Sequence, residues 1–195
     1  MKKIIDEYIN NEIEILHALD VENIISIIDI LIDALNNEKR IFIFGNGGSG
    51  STASHINNDF NKAIFKKTDK TFKFNCLNDN VPLILAIAND EGYDEVFKYQ
   101  LKNIGINKND IVIAISGSGN SQNIIKAVSY AKRKNATIIS LTGYDGGKLK
   151  KISDYNINSN IEHMQITEDI HLFLEHLIIS VLYKLYGKGG YLKDE

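Results

Sequence analysis

Arginine is almost missing from this chain: Arg40 and Arg133 are the two among 195 residues. Guanidinium forks are therefore too few to clamp an anion, and any anion site has to draw its donors from hydroxyls and backbone amides. Cysteine is scarcer still. Cys76 stands alone, which excludes an intrachain disulfide, and in the alternating segment Phe72–Leu77 it reads as an inert buried thiol without the thiolate-stabilising setting of a reactive one. A basic excess is lacking too. With a net charge of −3 and scattered lysines there is no basic stripe, so duplex nucleic acid is a poor electrostatic partner, and nothing points to a membrane surface. Long apolar runs are absent: the longest, Leu177–Leu185, is short and interrupted by polar residues, which excludes a spanning helix. Near the start, Asp6 and Glu12 break the apolar residues, so no signal-peptide core is expected and the chain is expected in the cytoplasm.

What is present is ordinary for a globular protein, 44% hydrophobic and 24% charged. The length suits one domain spanning 1–195, with helices over 1–37, an α/β body over 38–186 and a frayed tail over 187–195. Helical spacing runs through Ile5, Ile9, Ile13 and Leu16, then through Ile24, Ile28, Leu31 and Leu35, with Asp20 placed to cap the second helix. From Arg40 onward short apolar runs alternate with helical patterns. Strands are expected at Arg40–Phe44, Phe72–Leu77, Ile111–Ser116, Thr137–Thr142 and Tyr155–Ile157. Helices are expected after Gly45 to about Phe65, then at Val81–Ala88, Asp94–Asn103, Ser121–Lys134, Gly147–Ile152 and Ile166–Tyr186. This alternation predicts an α/β fold with a central parallel sheet, helices on both faces and an N-terminal helical prefix. The prefix is apolar around much of its circumference, at Ile24, Ile25, Ile27, Ile28, Ile30, Leu31 and Ile32, so a second subunit is expected to cover it.

The most informative segment is Ile113–Ser121, I-A-I-S-G-S-G-N-S. Ser116, Ser118 and Ser121 can each donate a hydroxyl, and Gly117 and Gly119 let the chain turn so that amides at the next helix start face the same ligand. That suits a phosphate. A second glycine-rich turn, G-N-G-G-S at Gly45–Ser49, matches neither dinucleotide nor Walker spacing. Taken alone it reads equally well as a tight strand-to-helix turn. Both turns follow strands at the carboxyl edge of the sheet, where ligands bind in such folds. On the helix that follows, His55 and Asp59 share a face at i and i+4, a spacing that serves a metal ion, acid–base chemistry or a surface hydrogen bond. The last helix crowds Glu168, Asp169, His171, Glu175 and His176 among Leu, Ile and Phe. Such residues form either a functional cluster or, for Asp169 and Glu175, the solvated face of an amphipathic helix.

Five ordered motifs, G-N-G-G-S with His55, A-N-D at Ala88–Asp90, S-G-S-G-N-S, L-T-G-Y-D-G-G at Leu141–Gly147 and E-D-I-H…H, together resemble the sugar-isomerase (SIS) family, from the helical prefix to Tyr186. Within it the pattern is similar to the heptose-phosphate isomerases. That resemblance implies a three-layer fold and an aldose–ketose isomerisation of sedoheptulose 7-phosphate to D-glycero-D-manno-heptose 7-phosphate, feeding lipopolysaccharide, capsule or another glycoconjugate. It also implies a homotetramer with sites between subunits. Carried over by position, Ser116, Gly117, Ser118 and Ser121 would hold the phosphate, Asn46, Gly47 and Ser49 would line the sugar, and Asn89 and Asp90 would meet its hydroxyls. His55, Asp59, Glu168 and His176 would bind zinc, with Asp59 as base and His176 as acid–base group, and His171 and His163 in reserve.

The chain departs from that pattern at named positions. Asp59 replaces the usual glutamate, Glu168 a glutamine and Gly117 a threonine, while Gln165 and Ile166 stand where an aspartate and an arginine are common. Glu168 adds charge that favours a divalent ion. The family also holds non-catalytic phosphosugar binders, one of which binds the replication initiator and lacks the catalytic carboxylate. The retained acid at Asp59 separates this chain from that protein.

Overall fold

The computed structural model describes residues 1–63, 65 and 67–187. The tail expected to fray lies, beyond Gly187, outside the described residues. Two helices, α1 (Lys2–His17) and α2 (Val21–Asn36), precede the alternating body. There follow β1 (Arg40–Gly45), α3 (Gly47–Lys62), β2 (Lys73–Cys76), α4 (Val81–Asp90), a 3-10 turn at Tyr93–Glu95 and α5 (Val96–Ile104). The second half comprises β3 (Ile111–Ser116), α6 (Gln122–Arg133), β4 (Thr137–Thr142), α7 (Gly147–Ile152), β5 (Tyr155–Asn158) and α8 (Met164–Tyr186). Among the described residues, no helix is long and apolar enough to cross a membrane.

Local chemistry accounts for the boundaries. Asp20 caps α2 by accepting a hydrogen bond from the Asn23 amide at 3.0 Å, and Asn80 does the same for α4 through Leu83 at 3.2 Å. The helix expected over 94–103 begins instead as the 3-10 turn and becomes α-helical at Val96, then stops at Gly105, whose φ of 70° only glycine adopts at little cost. α3 stops at Lys62, short of Phe65. Phe65 leaves the helical path and packs its ring against Phe72, Tyr183 and Tyr186 at centroid distances of 6.0, 5.6 and 5.8 Å.

All strand pairs are parallel, in the order β2-β1-β3-β4-β5. Because strand side chains alternate, each strand feeds two cores. Ile41 and Ile43 of β1 pack with Ile111, Ile113 and Ile139 beneath α2, α3 and α8. Phe42 and Phe44 point the other way, with Val112, Ala114 and Ile138, beneath α4, α5, α6 and α7. Each such side chain, fully buried, contributes about 1.5–3 kcal/mol against chain entropy.

β1 and β3 lie side by side, yet α3 packs on one face of the sheet and α6 on the other. The loops leaving these two strands therefore diverge and open a crevice at the carboxyl edge, the place where ligands bind in open parallel sheets. α2 is better covered than its composition predicts. Ile24, Ile27, Ile28, Leu31 and Leu35 are buried within the chain, Ile30 and Ile32 are half-buried, and Val21 and Ile25 are exposed. The bare apolar stripe belongs to α1, where Ile4, Ile5, Ile9 and Ile13 are exposed and no residue is buried. α1 is held through Tyr8, which donates a hydrogen bond to Asp169 of α8 and sets its ring edge-on to His163 at 5.3 Å.

Candidate functional site

The crevice is walled by the starts of α3 and α6, and a pair of side-chain amides ties them together. Asn46 donates to Asn123 at 3.0 Å and Asn123 donates back at 2.8 Å, while the Tyr93 hydroxyl donates to the Asn46 side-chain oxygen Oδ1 at 3.0 Å. Asn46 is thus a strut between loops, as well as the residue that precedes α3. Ser49, in the first turn of α3, is buried.

The serine loop is shaped from behind by the loop after β4. Gly143 donates its amide to the Gly117 carbonyl at 2.8 Å, and Leu149 donates to the Gly119 carbonyl at 2.9 Å. Gly119 has a φ of 62°, and a Cβ there would stand 2.1 Å from the Gly146 carbonyl oxygen. The L-T-G-Y-D-G-G motif is therefore backing for the serine loop. Ser116 is buried at the strand end, Ser118 and Ser121 are partly exposed, and Ser118 Oγ accepts from the Asn120 amide at 3.2 Å. Gly117 is packed under α8, where a Cβ would meet the flexible end of Met164 at 2.5 Å. Asn89 and Asp90 are exposed at the end of α4, where Asn89 donates to Asp90 at 2.8 Å.

Further along, α3 and α8 bring four titratable groups together. His55, Asp59, Glu175 and His176 each place one nitrogen or oxygen so that all four atoms lie within 4.8 Å of one another. The two imidazole Nε2 atoms are 3.2 Å apart, and Asp59 Oδ2 lies 3.6 Å from that of His55. Glu175 Oε2 lies 3.1 Å from His176 Nε2 and 3.7 Å from His55 Nε2. Convergence of two imidazoles and two carboxylates on one point suits a divalent ion. One buried member supplies a further test of fit: both Glu175 carboxylate oxygens are buried without a hydrogen-bond partner. Burial, reinforced by the nearby Asp59 charge and opposed by His55, pushes the Glu175 carboxyl up to about 7.

Three of the four residues expected as ligands, His55, Asp59 and His176, are in this group. Glu168 stands apart, one turn or more nearer the start of α8. Its carboxylate lies over Gly48, where a Cβ would be 2.4 Å from both oxygens, beside the positive end of the α3 dipole. Glu175 occupies the place expected for it. The signal was present in sequence, a carboxylate inside L-F-L-E-H-L-I-I, but spacing alone also allowed a solvated face. The reserve histidines have other employment. His171 is buried, its Nε2 lies 3.3 Å from the Thr142 carbonyl, and desolvation pushes it down to about 4. His163 caps α8, accepting from the Ile166 amide at 3.4 Å. Cys76 is half-buried, and burial raises its thiol to about 11.

The chain has relatives among known proteins. The SIS domain family matches residues 7–143. The phosphoheptose isomerase of Helicobacter pylori (strain ATCC 700392 / 26695) is 38% identical over 155 residues, covering 80% of each chain. A probable phosphoheptose isomerase of Thermoplasma acidophilum is 35% identical over 164 residues, covering 84% of this chain and 89% of that one. The chain belongs to the SIS-domain family, among its phosphoheptose isomerases. The solved phosphoheptose isomerase of Neisseria gonorrhoeae superposes with a TM-score of 0.83 at 27% identity, over 94% of this chain and 96% of that one. SIS-family membership accounts for the three-layer architecture.

The backing of the serine loop generates a paired prediction. Gly119→Ala forces a Cβ onto a backbone oxygen at positive φ, so urea denaturation should show a loss of more than ~2 kcal/mol, with phosphosugar affinity down at least about tenfold. Gly117→Ala displaces only a flexible thioether and should cost under about 1 kcal/mol. Equal losses in the two variants would contradict the strut-and-backing description of the loop.

Proposed function

We propose that this chain isomerises sedoheptulose 7-phosphate to D-glycero-D-manno-heptose 7-phosphate in the cytoplasm, for heptose-containing glycoconjugates. The observation that carries the reading is the acid–base cluster of α3 and α8, with α3 opening at the same β1/β3 crevice as the serine cradle. A non-catalytic phosphosugar binder has no use for that cluster.

In this reading Ser116, Ser118 and Ser121, with the amides opening α6, hold the phosphate. Asn46, Gly47 and Ser49 line the sugar, and Asn89 and Asp90 meet its far hydroxyls. Asp59, with a side chain 33% exposed, is accessible to substrate and serves as the base. It removes a proton from C1, and that C–H pair becomes the C1=C2 bond while the C2 carbonyl pair moves to O2. The O1 hydroxyl proton then passes to O2. Asp59 returns its proton to C2 as O1 closes to the aldehyde, so atoms and charge balance. His176 stands beside Asp59 and serves the oxygens when its ring is free to carry a proton. A bound divalent ion, zinc in this reading, would polarise the C2 carbonyl and stabilise the charge that develops on oxygen. His55 and His176 would hold it, together with a carboxylate of the cluster.

The assembly proposed is a homotetramer. The exposed isoleucines of α1 form a stripe that one chain leaves bare, and copies of the chain are the simplest cover. Light scattering of the wild type should give four chains, and an Ile9→Asp/Ile13→Asp variant should give fewer. A fully active wild-type monomer at assay concentration would contradict the assembly.

Asp59→Asn keeps the size and hydrogen bonding of the side chain but removes the base. Turnover of sedoheptulose 7-phosphate should fall by at least ~100-fold, while calorimetry shows phosphosugar binding within a few-fold of wild type. Undiminished turnover would sink the assignment.

A further inference from the structure

Glu175 is an unfavourably placed charge. Its side chain is 0% exposed, neither oxygen has a hydrogen-bond partner, and the carboxylate tops a small apolar void lined by Ile27, Leu31, Ile56, Leu174 and Ile178. The other side chains lining that void are apolar, while His176 and His55 bring their Nε2 atoms to 3.1 and 3.7 Å from Glu175 Oε2. The spacing there is informative. Tetrahedral zinc with ligand bonds of about 2.0–2.2 Å requires neighbouring ligand atoms roughly 3.3–3.6 Å apart. His55 Nε2, His176 Nε2 and Glu175 Oε2 form a triangle with edges of 3.2, 3.1 and 3.7 Å. Asp59 Oδ2, 3.6 Å from His55 Nε2, fits that spacing too, so burial and not spacing separates the two carboxylates.

We infer that Glu175, with His55 and His176, forms a two-histidine, one-glutamate metal site whose anionic ligand is Glu175, leaving Glu168 outside it and Asp59 free to act as base. The inference rests on the isomerase reading only for the role left to Asp59; the site itself is argued from geometry. Three protein ligands with an open position is the arrangement of catalytic zinc, in which substrate oxygens take the fourth place. It also removes a conflict, because a carboxylate committed to an ion cannot at the same moment take a proton from carbon. The division follows burial: Glu175 has no access to substrate, whereas Asp59 is partly exposed. Glu168, against the amino end of α3, is already placed beside positive backbone charge.

The test is a Zn2+ titration against a competing chelator, without sugar, on the purified full-length protein and its variants. The wild type should bind about one ion per chain. Glu175→Gln should weaken binding at least about tenfold, and so should His55→Ala, which alters an exposed residue and guards against a folding failure in the first variant. Glu168→Gln and Asp59→Asn should stay within about threefold of wild type. Replacing Zn2+ by Co2+ gives a second readout, an intense visible band for a four-coordinate ion, which should be lost in Glu175→Gln and kept in Glu168→Gln. Wild-type affinity in folded Glu175→Gln, or loss of the ion in Glu168→Gln, would overturn the assignment. Intact metal binding without any isomerisation by the wild type would strike the functional reading and leave the metal site standing.

Discussion

The divergence of β1 and β3 sets everything else in place. Two neighbouring parallel strands send their following helices to opposite faces of the sheet, so the Gly45–Ser49 and Ser116–Ser121 loops part at the carboxyl edge. The crevice would be a soft gap without the reciprocal amide pair of Asn46 and Asn123, which fixes the two helix starts relative to one another. Each loop is then stiffened from its own side. Asn78 donates to the Gly45 carbonyl at 2.8 Å and accepts from the Gly45 amide at 3.2 Å, while the loop after β4 supports the serine loop. With so little arginine, an anion in this crevice would meet fixed hydroxyls and amides in place of guanidinium charge.

In contrast to this neutral, donor-rich wall, α3 and α8 gather charge. The two helices pack over a core of Ala53, Ile56, Ile170 and Leu174, and the same packing that buries these residues carries Glu175 inward. Burying an unpaired carboxylate costs folding free energy unless a cation or donor compensates. The converging nitrogens of His55 and His176 lie where a bound divalent ion would offset that cost. Function and destabilisation would then sit at the same residue, a common placement for groups whose chemistry depends on low local polarity.

Much of this was legible in sequence because it is written in local patterns. Ile41/Phe42/Ile43/Phe44 alternate strictly, Asp20 and Asn80 cap by short-range chemistry, and the ordered motifs fixed the family resemblance and the two ligand loops. What sequence did not resolve depended on contacts between distant segments. Glu168 and Glu175 lie seven residues apart on one helix and differ little as local patterns, yet only the packing of α3 on α8 decides which one faces His55. Asn123 and Tyr93 were missed for the same reason, since their role is set by reaching Asn46 across the crevice. Composition also overstated the exposure of α2, because the sheet and α8 cover more of its circumference than a surface helix usually offers.

The central claim is that one crevice both holds a sugar phosphate and moves a proton between its first two carbons. Incubating the protein with sedoheptulose 7-phosphate in D2O, followed by NMR, tests this most directly. The account predicts D-glycero-D-manno-heptose 7-phosphate carrying deuterium at C2, with exchange at C1 of the remaining ketose. Tight binding of the ketose phosphate with no product and no exchange at either carbon would contradict it.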